Sequence, residues 1–495
     1  MKDKNIDSES KFRSLKPKLI ENISLLNKNN ILNNNKPSFW IEGYGCSANL
    51  SDMEIIAGQL KSNGFEIADN PSESSINLIV TCSVKDVTEH RMSYRIKELS
   101  KENKPLVIAG CLPSADTKLV EKLNSKASLM GPHSISNTME IVNYALAGKK
   151  SVSIQKSSFE KINLPKVRLN PVISIIQIST GCLSECSFCQ TKLSKGNLQS
   201  FRIGNIINQI KHDLREGSKE IWLTSTDNGC YGMDIGTDLV ELLKRCVEID
   251  EKDFMLRVGM MNPMYMRNII SDLIDIYSNS KKLFKFIHIP VQSGSEKILR
   301  KMKRGHSAKT FNQIVRQFRE RIPDITIATD IITGFPSETE DDFEKTLKMI
   351  TDLQPDIVNS SKYSARPGTS ASKLKRIDPE IVTKRSEKLH SLIKDIAIKR
   401  NSRWLNWEGD VLIDEIDNGK LKGRNQYYKS IVIKEDNNKN TKEKDTEINN
   451  NGFHLNKGSY LINSNNYHNN LSIGKTIKVK VINYSNHVLE AIQIT

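Results

Sequence analysis

At 495 residues the chain exceeds one ordinary domain and has room for about three, with a large buried core. Lys and Arg number 73 against 58 Asp and Glu, a net charge of +15 that favours polyanionic partners but equally suits solvated surface lysines. With 37% hydrophobic and 26% charged residues the chain is globular rather than fibrous or wholly disordered, and no run reaches the roughly 18 apolar residues of a membrane span.

Residues 1–36 are Lys- and Asn-rich, lack the apolar segment of a secretory signal, and read as a disordered N-terminal extension of an intracellular protein. From 37 to 148, apolar runs at 38–44, 77–81 and 106–109 alternate with helical periods at 51–63 and 87–100, a βαβαβ pattern that predicts a parallel sheet covered by helices. Residues 149–166 are Ser/Lys-rich and read as a linker. Between 167 and 404 six strand candidates recur with helices between them, at 172–178, 220–223, 254–258, 284–289, 325–332 and 356–360. Six βα units fit a partial (β/α)6 barrel, two short of a closed TIM barrel. A basic helix over 379–404 closes this region, and 405–495 changes to short β-like runs at 410–415, 427–433, 476–482 and 488–494, which predict a small antiparallel barrel or sandwich. Within it, 436–470 holds twelve Asn in 35 residues and reads as a disordered insertion, because it has too little apolar area to offset its ordering entropy.

Eight cysteines are too few for a disulfide scaffold, so their positions matter more than their number. Cys182, Cys186 and Cys189 form a CxxxCxxC run directly after the first barrel strand. Three thiolates on one short loop can hold three corners of a cubane, leaving one iron open for a bidentate ligand. The competing reading is a zinc site short of its fourth ligand. Cys46, Cys82 and Cys111 each end an apolar run, so a parallel sheet would bring all three to its carboxyl edge, where such sheets bind ligands. Glycines at 43, 45 and 110 leave room there. A second cluster is the reading; a three-cysteine zinc site, or three separate core cysteines, are its rivals. Cys230 and Cys246 read as non-ligands.

The CxxxCxxC run at a strand end resembles the radical S-adenosylmethionine superfamily. Two three-cysteine sites with a basic β-domain resemble its methylthiotransferases, from about Pro37 onward apart from the insertion. The motifs are Tyr44-Gly45-Cys46 with Asn49 and Asp52, Thr81-Cys82, Ala109-Gly110-Cys111, Pro290 to Ser295, Thr329 to Pro336, and Arg366-Pro367-Gly368-Thr369. The tract from Gln190 to Ser200 is similar to the archaeal and eukaryotic branch that acts on threonylcarbamoyladenosine in tRNA; Glu220 to Ser225 and Asp234 to Thr237 point the same way.

The resemblance implies two 4Fe-4S clusters, on Cys182/Cys186/Cys189 and on Cys46/Cys82/Cys111, with S-adenosyl-L-methionine as cofactor and no catalytic side chain beyond the cluster ligands. It implies that a radical made at the first cluster takes hydrogen from C2 of the adenine at position 37, beside the anticodon. Sulfur held at the second would then be joined to C2 and methylated by a second S-adenosylmethionine. The two rims must therefore face each other. Strand-end positions in βα barrels make Thr226, Asp227, Gln292, Ser293, Asp330 and Gly334 the expected cofactor contacts, with capping or loop packing the alternative for Gln292 and Asp330. The last domain resembles the TRAM module, an RNA-binding barrel, in which Arg424, Lys475, Lys478 and Lys480 would meet phosphate. Expected partners are a tRNA anticodon stem-loop, a flavodoxin- or ferredoxin-type electron donor and a sulfur source, with no membrane. Animal members carry a C-terminal membrane tail, whereas this sequence stops at Thr495 just after a strand, so a cytoplasmic location is expected. Ser337 stands where the family usually has Gly, and Cys230 where a small residue is common. Rival substrates are isopentenyladenosine and a ribosomal-protein aspartate; the rival class is a non-catalytic iron-sulfur RNA-binding protein.

Overall fold

The computed structural model describes residues 36–83, 86–158, 160–251, 253–417, 419–434, 459–462 and 472–494. The expected N-terminal extension, except Lys36, and most of the Asn-rich insertion lie outside the described residues.

The N-terminal sheet grows from apolar runs buried on both faces. Its elements are β1 (Ser38–Tyr44), α1 (Ser47–Ser62), β2 (Glu66–Ile67), β3 (Ile76–Thr81), α2 (Asp86–Lys101), β4 (Leu106–Gly110), α3 (Cys111–Ala115), β5 (Ser128–Met130) and β6 (Val152–Ser153). Every residue of β3 and β4 is buried, as strands sandwiched between helices must be. The strands β1, β3, β4, β5 and β6 are neighbours in that order and all parallel, with β2 beside β1. The segment 149–166, expected as a linker, contributes β6 to this sheet and buries Lys161 against Asp52 of α1. It is packed structure as well as connection.

The central part holds β7 (Ile173–Gln177), α4 (Thr191–Lys195), β8 (Glu220–Thr224), β9 (Met255–Val258), β10 (Phe286–His288), β11 (Thr326–Thr333) and β12 (Ile357–Lys362). One parallel sheet runs β9-β8-β7 and another β10-β11-β12, and a parallel bridge between Leu256 and Leu283 connects them. The result is the six-unit open barrel that the alternating pattern predicts. Its core packs strand residues such as Leu223, Leu256 and Ile327 against helix residues such as Leu243 and Phe318. The basic helix α5 (Pro379–Ser402) starts with Pro at its first position and an Asp378 cap.

Five further strands close a small barrel: β13 (Glu408–Asp417), β14 (Lys420–Arg424), β15 (Ser430–Lys434), β17 (Thr476–Tyr484) and β18 (Leu489–Gln493), with β16 (Ser459–Ile462) lying outside it. β14 has no apolar alternation to announce it; its pairing on both sides, to β13 and β15, makes it a strand. The seams are antiparallel except β15 with β18, which is parallel. A closed ring of five strands cannot reverse direction at every seam, so one parallel pair is required.

β16 corrects the reading of 436–470 as disordered throughout. Ser459–Ile462 pairs antiparallel with β1, Ile41 opposite Ile462, and Ile462 is fully buried. The apolar stretch Tyr460-Leu461-Ile462 interrupts the asparagines in sequence and supplies the buried Ile462. No helix among the described residues is long and apolar enough to cross a membrane.

Candidate functional site

Cys46, Cys82 and Cys111 follow the carboxyl ends of β1, β3 and β4, three adjacent strands. Gly45 has a φ of +107°, and a Cβ there would stand 2.6 Å from Cys82 Cβ and 2.8 Å from Cys82 Sγ. Glycine is what allows the Cys46 turn to close on Cys82. Asn49, in the first turn of α1, ties the three segments together. Its Nδ2 donates to the Tyr44 carbonyl at 3.0 Å and the Thr81 carbonyl at 2.8 Å, while Cys111 Sγ donates to its Oδ1 at 3.5 Å. Burial pushes the Cys111 thiol up. Behind the rim, fully buried Asp52 accepts from Lys161 Nζ and from Gln177 Nε2, each at 2.7 Å. Lys195 is buried beside them. Burial works against its ammonium, yet the charges of Cys111, Cys46, Asp52 and Cys82 outweigh that and raise its pKa.

The CxxxCxxC loop leaves β7 through Gly181, whose φ is +76°; a Cβ there would overlap the Asn197 carbonyl oxygen at 1.9 Å. Arg304, almost wholly buried, donates from Nη1 to Cys186 Sγ at 3.2 Å and from Nη2 to the Pro290 carbonyl at 2.6 Å. Burial first, then the neighbouring Cys186 and Cys182, push the Cys189 thiol up. Cys230, read as a non-ligand, lies beside this loop. A hydrogen bond with Cys230 holds the Cys182 thiol below its ordinary range. Cys246 sits in the barrel core, and burial pushes it up to about 12.

Thiol spacing bears on what each trio could hold. Thiolates sharing a single tetrahedral zinc, at about 2.3 Å each, would sit about 3.8 Å apart. Among the described residues the one potential metal-binding group gathered within 4.8 Å is Cys182, Asp227 and Cys230; neither cysteine trio is drawn together that tightly. Wider spacing suits ligands on separate irons of a cubane. The trios share one seam of the molecule. Ser47, next to Cys46, lies 2.6 Å Oγ to Oγ1 from Thr224 at the end of β8. α4 begins two residues after Cys189 and ends at Lys195, beside the other trio.

The expected cofactor contacts separate into two groups. Thr226 Oγ1 and Gln292 Oε1 are buried without a hydrogen-bond partner, and Gln292 holds a φ of +77°. The others are engaged by neighbouring groups of the protein. Asp227 Oδ1 accepts from the Gly229 and Asn262 amides, both at 3.0 Å, and burial pushes its carboxyl up. Ser293 Oγ accepts from the Ser295 amide at 3.2 Å. Asp330 Oδ1 accepts from Asn359 Nδ2 and meets His288 Nε2, each at 2.9 Å. Gly334 has a φ of +77° and lies against Val382 of α5.

Of the expected RNA contacts, Lys475 and Lys478 are exposed, and Lys480 pairs with Glu408 at 3.0 Å. Arg424 is a correction. It turns inward, 2.9 Å from Asp414 and stacked 4.4 Å above the Tyr428 ring, because a buried carboxylate and an aromatic face compete better for it than water does. Lys195 and Arg304 went unassigned by sequence reasoning. Arg304 lies 118 residues from Cys186, a separation no local spacing exposes.

Residues 176–350 match the radical SAM superfamily, and residues 38–131 match a family described as uncharacterized protein family UPF0004. A probable threonylcarbamoyladenosine tRNA methylthiotransferase of Pyrococcus horikoshii is 39% identical over 400 residues, covering 80% of this chain and 93% of that protein. The one from Methanocaldococcus jannaschii is 39% identical over 386 residues, 77% and 88% of the two chains. The threonylcarbamoyladenosine tRNA methylthiotransferase of Homo sapiens is 35% identical over 401 residues, 80% and 69%. Among solved structures, the radical S-adenosylmethionine methyltransferase TsrM from Kitasatospora setae superposes with a TM-score of 0.52 at 14% identity, covering 68% of this chain and 75% of that one, a likeness of fold.

Proposed function

The chain belongs to the threonylcarbamoyladenosine tRNA methylthiotransferase family, and from that premise we propose that it adds a methylthio group to C2 of N6-threonylcarbamoyladenosine beside the tRNA anticodon. Cys182, Cys186 and Cys189 would hold a 4Fe-4S cluster, and Cys46, Cys82 and Cys111 a second one. When bound, the first with S-adenosylmethionine supplies a radical able to take a hydrogen atom that no acid or base reaches at neutral pH, and the second supplies the sulfur.

The chain's own residues position and enclose. Arg304 directs a charged donor at Cys186 and is anchored by the Pro290 carbonyl, which fixes that thiol's direction. Asn49 fixes the opposite rim by holding the β1 and β3 ends and the Cys111 thiol at once. Thr226 and Gln292 offer polar atoms to the cofactor. Lys475 and Lys478, exposed on the small barrel, suit a polyanion. Two S-adenosylmethionine molecules per product, a flavodoxin- or ferredoxin-type reductant and a separate sulfur source complete the proposed reaction.

The observation that carries this reading is the common seam: one short helix connects the loop of one trio to the rim of the other. Sulfur transfer to a nucleobase needs both within reach of the same atom. Nucleoside digests of tRNA from cells lacking the gene test it. Loss of the methylthio form of threonylcarbamoyladenosine is expected; an unchanged profile, or loss only of a methylthio isopentenyladenosine, rejects the proposal. Cys→Ala at 182, 186 or 189 should abolish 5′-deoxyadenosine release, whereas Cys→Ala at 46, 82 or 111 should block methylthio product and leave some release.

A further inference from the structure

Both cysteine trios follow the carboxyl ends of strands, whereas the small barrel docks at the opposite end of the central one. Asn170, before β7, donates from Nδ2 to the Asp414 carbonyl at 2.7 Å. The Lys285 amide, before β10, donates to the Gln426 carbonyl at 2.8 Å, and Asp356, before β12, meets Lys429 at 3.3 Å. Lys475 and Lys478 therefore belong to a body seated at the amino ends of the strands, a strand's length of roughly 17 Å from the level of the CxxxCxxC loop. An RNA held by the small barrel alone would reach the rims with its loop nucleotides unguided. A guided loop needs a second grip beside the trios.

A surface of that kind lies on α2, which starts at Asp86, shortly after Cys82. In its first turn Glu89 pairs with Arg366. The loop after Arg366 leans on the CxxxCxxC loop: Gln190 Nε2 donates to the Pro367 carbonyl at 3.4 Å, and the Ala371 amide to the Ser187 carbonyl at 2.8 Å. The start of α2 is thus beside both trios. At about 100° per residue, His90, Arg91, Tyr94 and Lys97 share one face, opposite the buried Met92, Ile96 and Leu99, and all four are exposed. Tyr94 is 66% exposed, the one aromatic among the exposed large hydrophobic side chains of the described residues. It lies about 7.5 Å along the helix axis from Glu89, close to two stacked base steps of about 3.4 Å each. Arg91 and Lys97 stand about one turn before and after it. Glu98, on the flank of this face, is engaged by Lys101 at 2.6 Å, so Arg91 and Lys97 leave the face positive.

We propose that this face of α2 receives the anticodon loop of the tRNA, with the Tyr94 ring as a stacking platform for an unpaired base and Arg91 and Lys97 as contacts to the flanking phosphates. The proposal rests on the tRNA reading above. An unpaired nucleotide offers a flat base and a charged backbone, and an exposed ring between two cations matches both. A paired stem has no unstacked base to give, which favours the loop as occupant. Because the start of α2 adjoins both rims, a base held on Tyr94 sets how far its neighbour extends toward the cysteine trios.

The test measures binding of a synthetic tRNA anticodon stem-loop carrying threonylcarbamoyladenosine, by fluorescence anisotropy over a salt series. Full-length protein is used unsubstituted and as Tyr94→Ala, Tyr94→Phe and the double variant Arg91→Gln/Lys97→Gln, with circular dichroism and iron content as controls on folding and loading. Tyr94→Ala should weaken binding about tenfold, and Tyr94→Phe should bind like the unsubstituted chain. The double variant should reduce the slope of log affinity against log salt by about 1.4, the share of two phosphates on a single strand. Unchanged affinity and slope in every variant overturn the proposal while leaving the tRNA reading in place. Unchanged RNA binding with slower reduction by flavodoxin also overturns it, since the face would then receive the electron donor. Equal loss in Tyr94→Ala and Tyr94→Phe overturns it as well, because the ring would not be what holds the base. Absence of binding by the unsubstituted chain overturns the tRNA reading itself.

Discussion

Ser337 holds a φ of +71°, a backbone region in which a Cβ costs roughly 1 kcal/mol. The family resemblance places glycine at this position, and the structure supplies the reason. Ser337→Gly should therefore raise stability by roughly 0.5–1 kcal/mol, less whatever the contact from Lys301 Nζ at 2.5 Å contributes, and thermal unfolding measures it. An unchanged or lower midpoint would show that the Lys301 contact outweighs the strain. Other single residues divide by whether their partners are local. The cysteines were legible because each follows an apolar run or sits in a tight spacing. Arg304 and Lys195 were not, because their partners lie far away in sequence and ordinary surface Arg and Lys look the same in a one-dimensional pattern. Arg424 shows the converse, a basic residue in a basic domain that faces inward.

At the scale of elements, Asp356 at the foot of β12 joins α5 and the small barrel to the central one. It is wholly buried and meets Arg400 at 3.1 Å, Arg403 at 3.0 Å and Lys429 at 3.3 Å. Burial opposes its ionisation, but Lys429, Arg400 and Arg403 outweigh that and hold its pKa at about 2. A carboxyl depressed below its unfolded value of about 3.9 contributes stability that is complete above that pH and lost as pH falls toward about 2. Asp356→Asn should cost about 3–5 kcal/mol near neutrality, by leaving buried cations unpaired, and should flatten the acid limb of stability between about pH 4 and 2. Denaturant unfolding across that range checks it, and equal acid limbs would remove Asp356 from the account. The longer helices and parallel strands of both α/β regions were readable because periodicity there reports burial directly, whereas β5 and β6, three and two residues long, are too short to show a period. β14 and β16 were not: the first is held by pairing rather than by apolar alternation, and the second hides an apolar triplet inside an Asn-rich stretch.

Over the whole molecule, the parts are joined where the chemistry is proposed. α1 touches β8 through Ser47 and Thr224, Glu89 of α2 pairs with Arg366, and β16 extends the sheet that carries Cys46. The strand order that sets Cys46, Cys82 and Cys111 side by side followed from the βαβαβ pattern. The approach of that rim to the CxxxCxxC loop did not, because it depends on how two domains dock and no local period encodes docking. Iron and acid-labile sulfide on anaerobically purified full-length protein test the central claim most directly. The account predicts about eight irons per chain, falling to about four when either cysteine trio is replaced by Ala. About four irons in the unsubstituted chain, or zinc in place of iron, would contradict it.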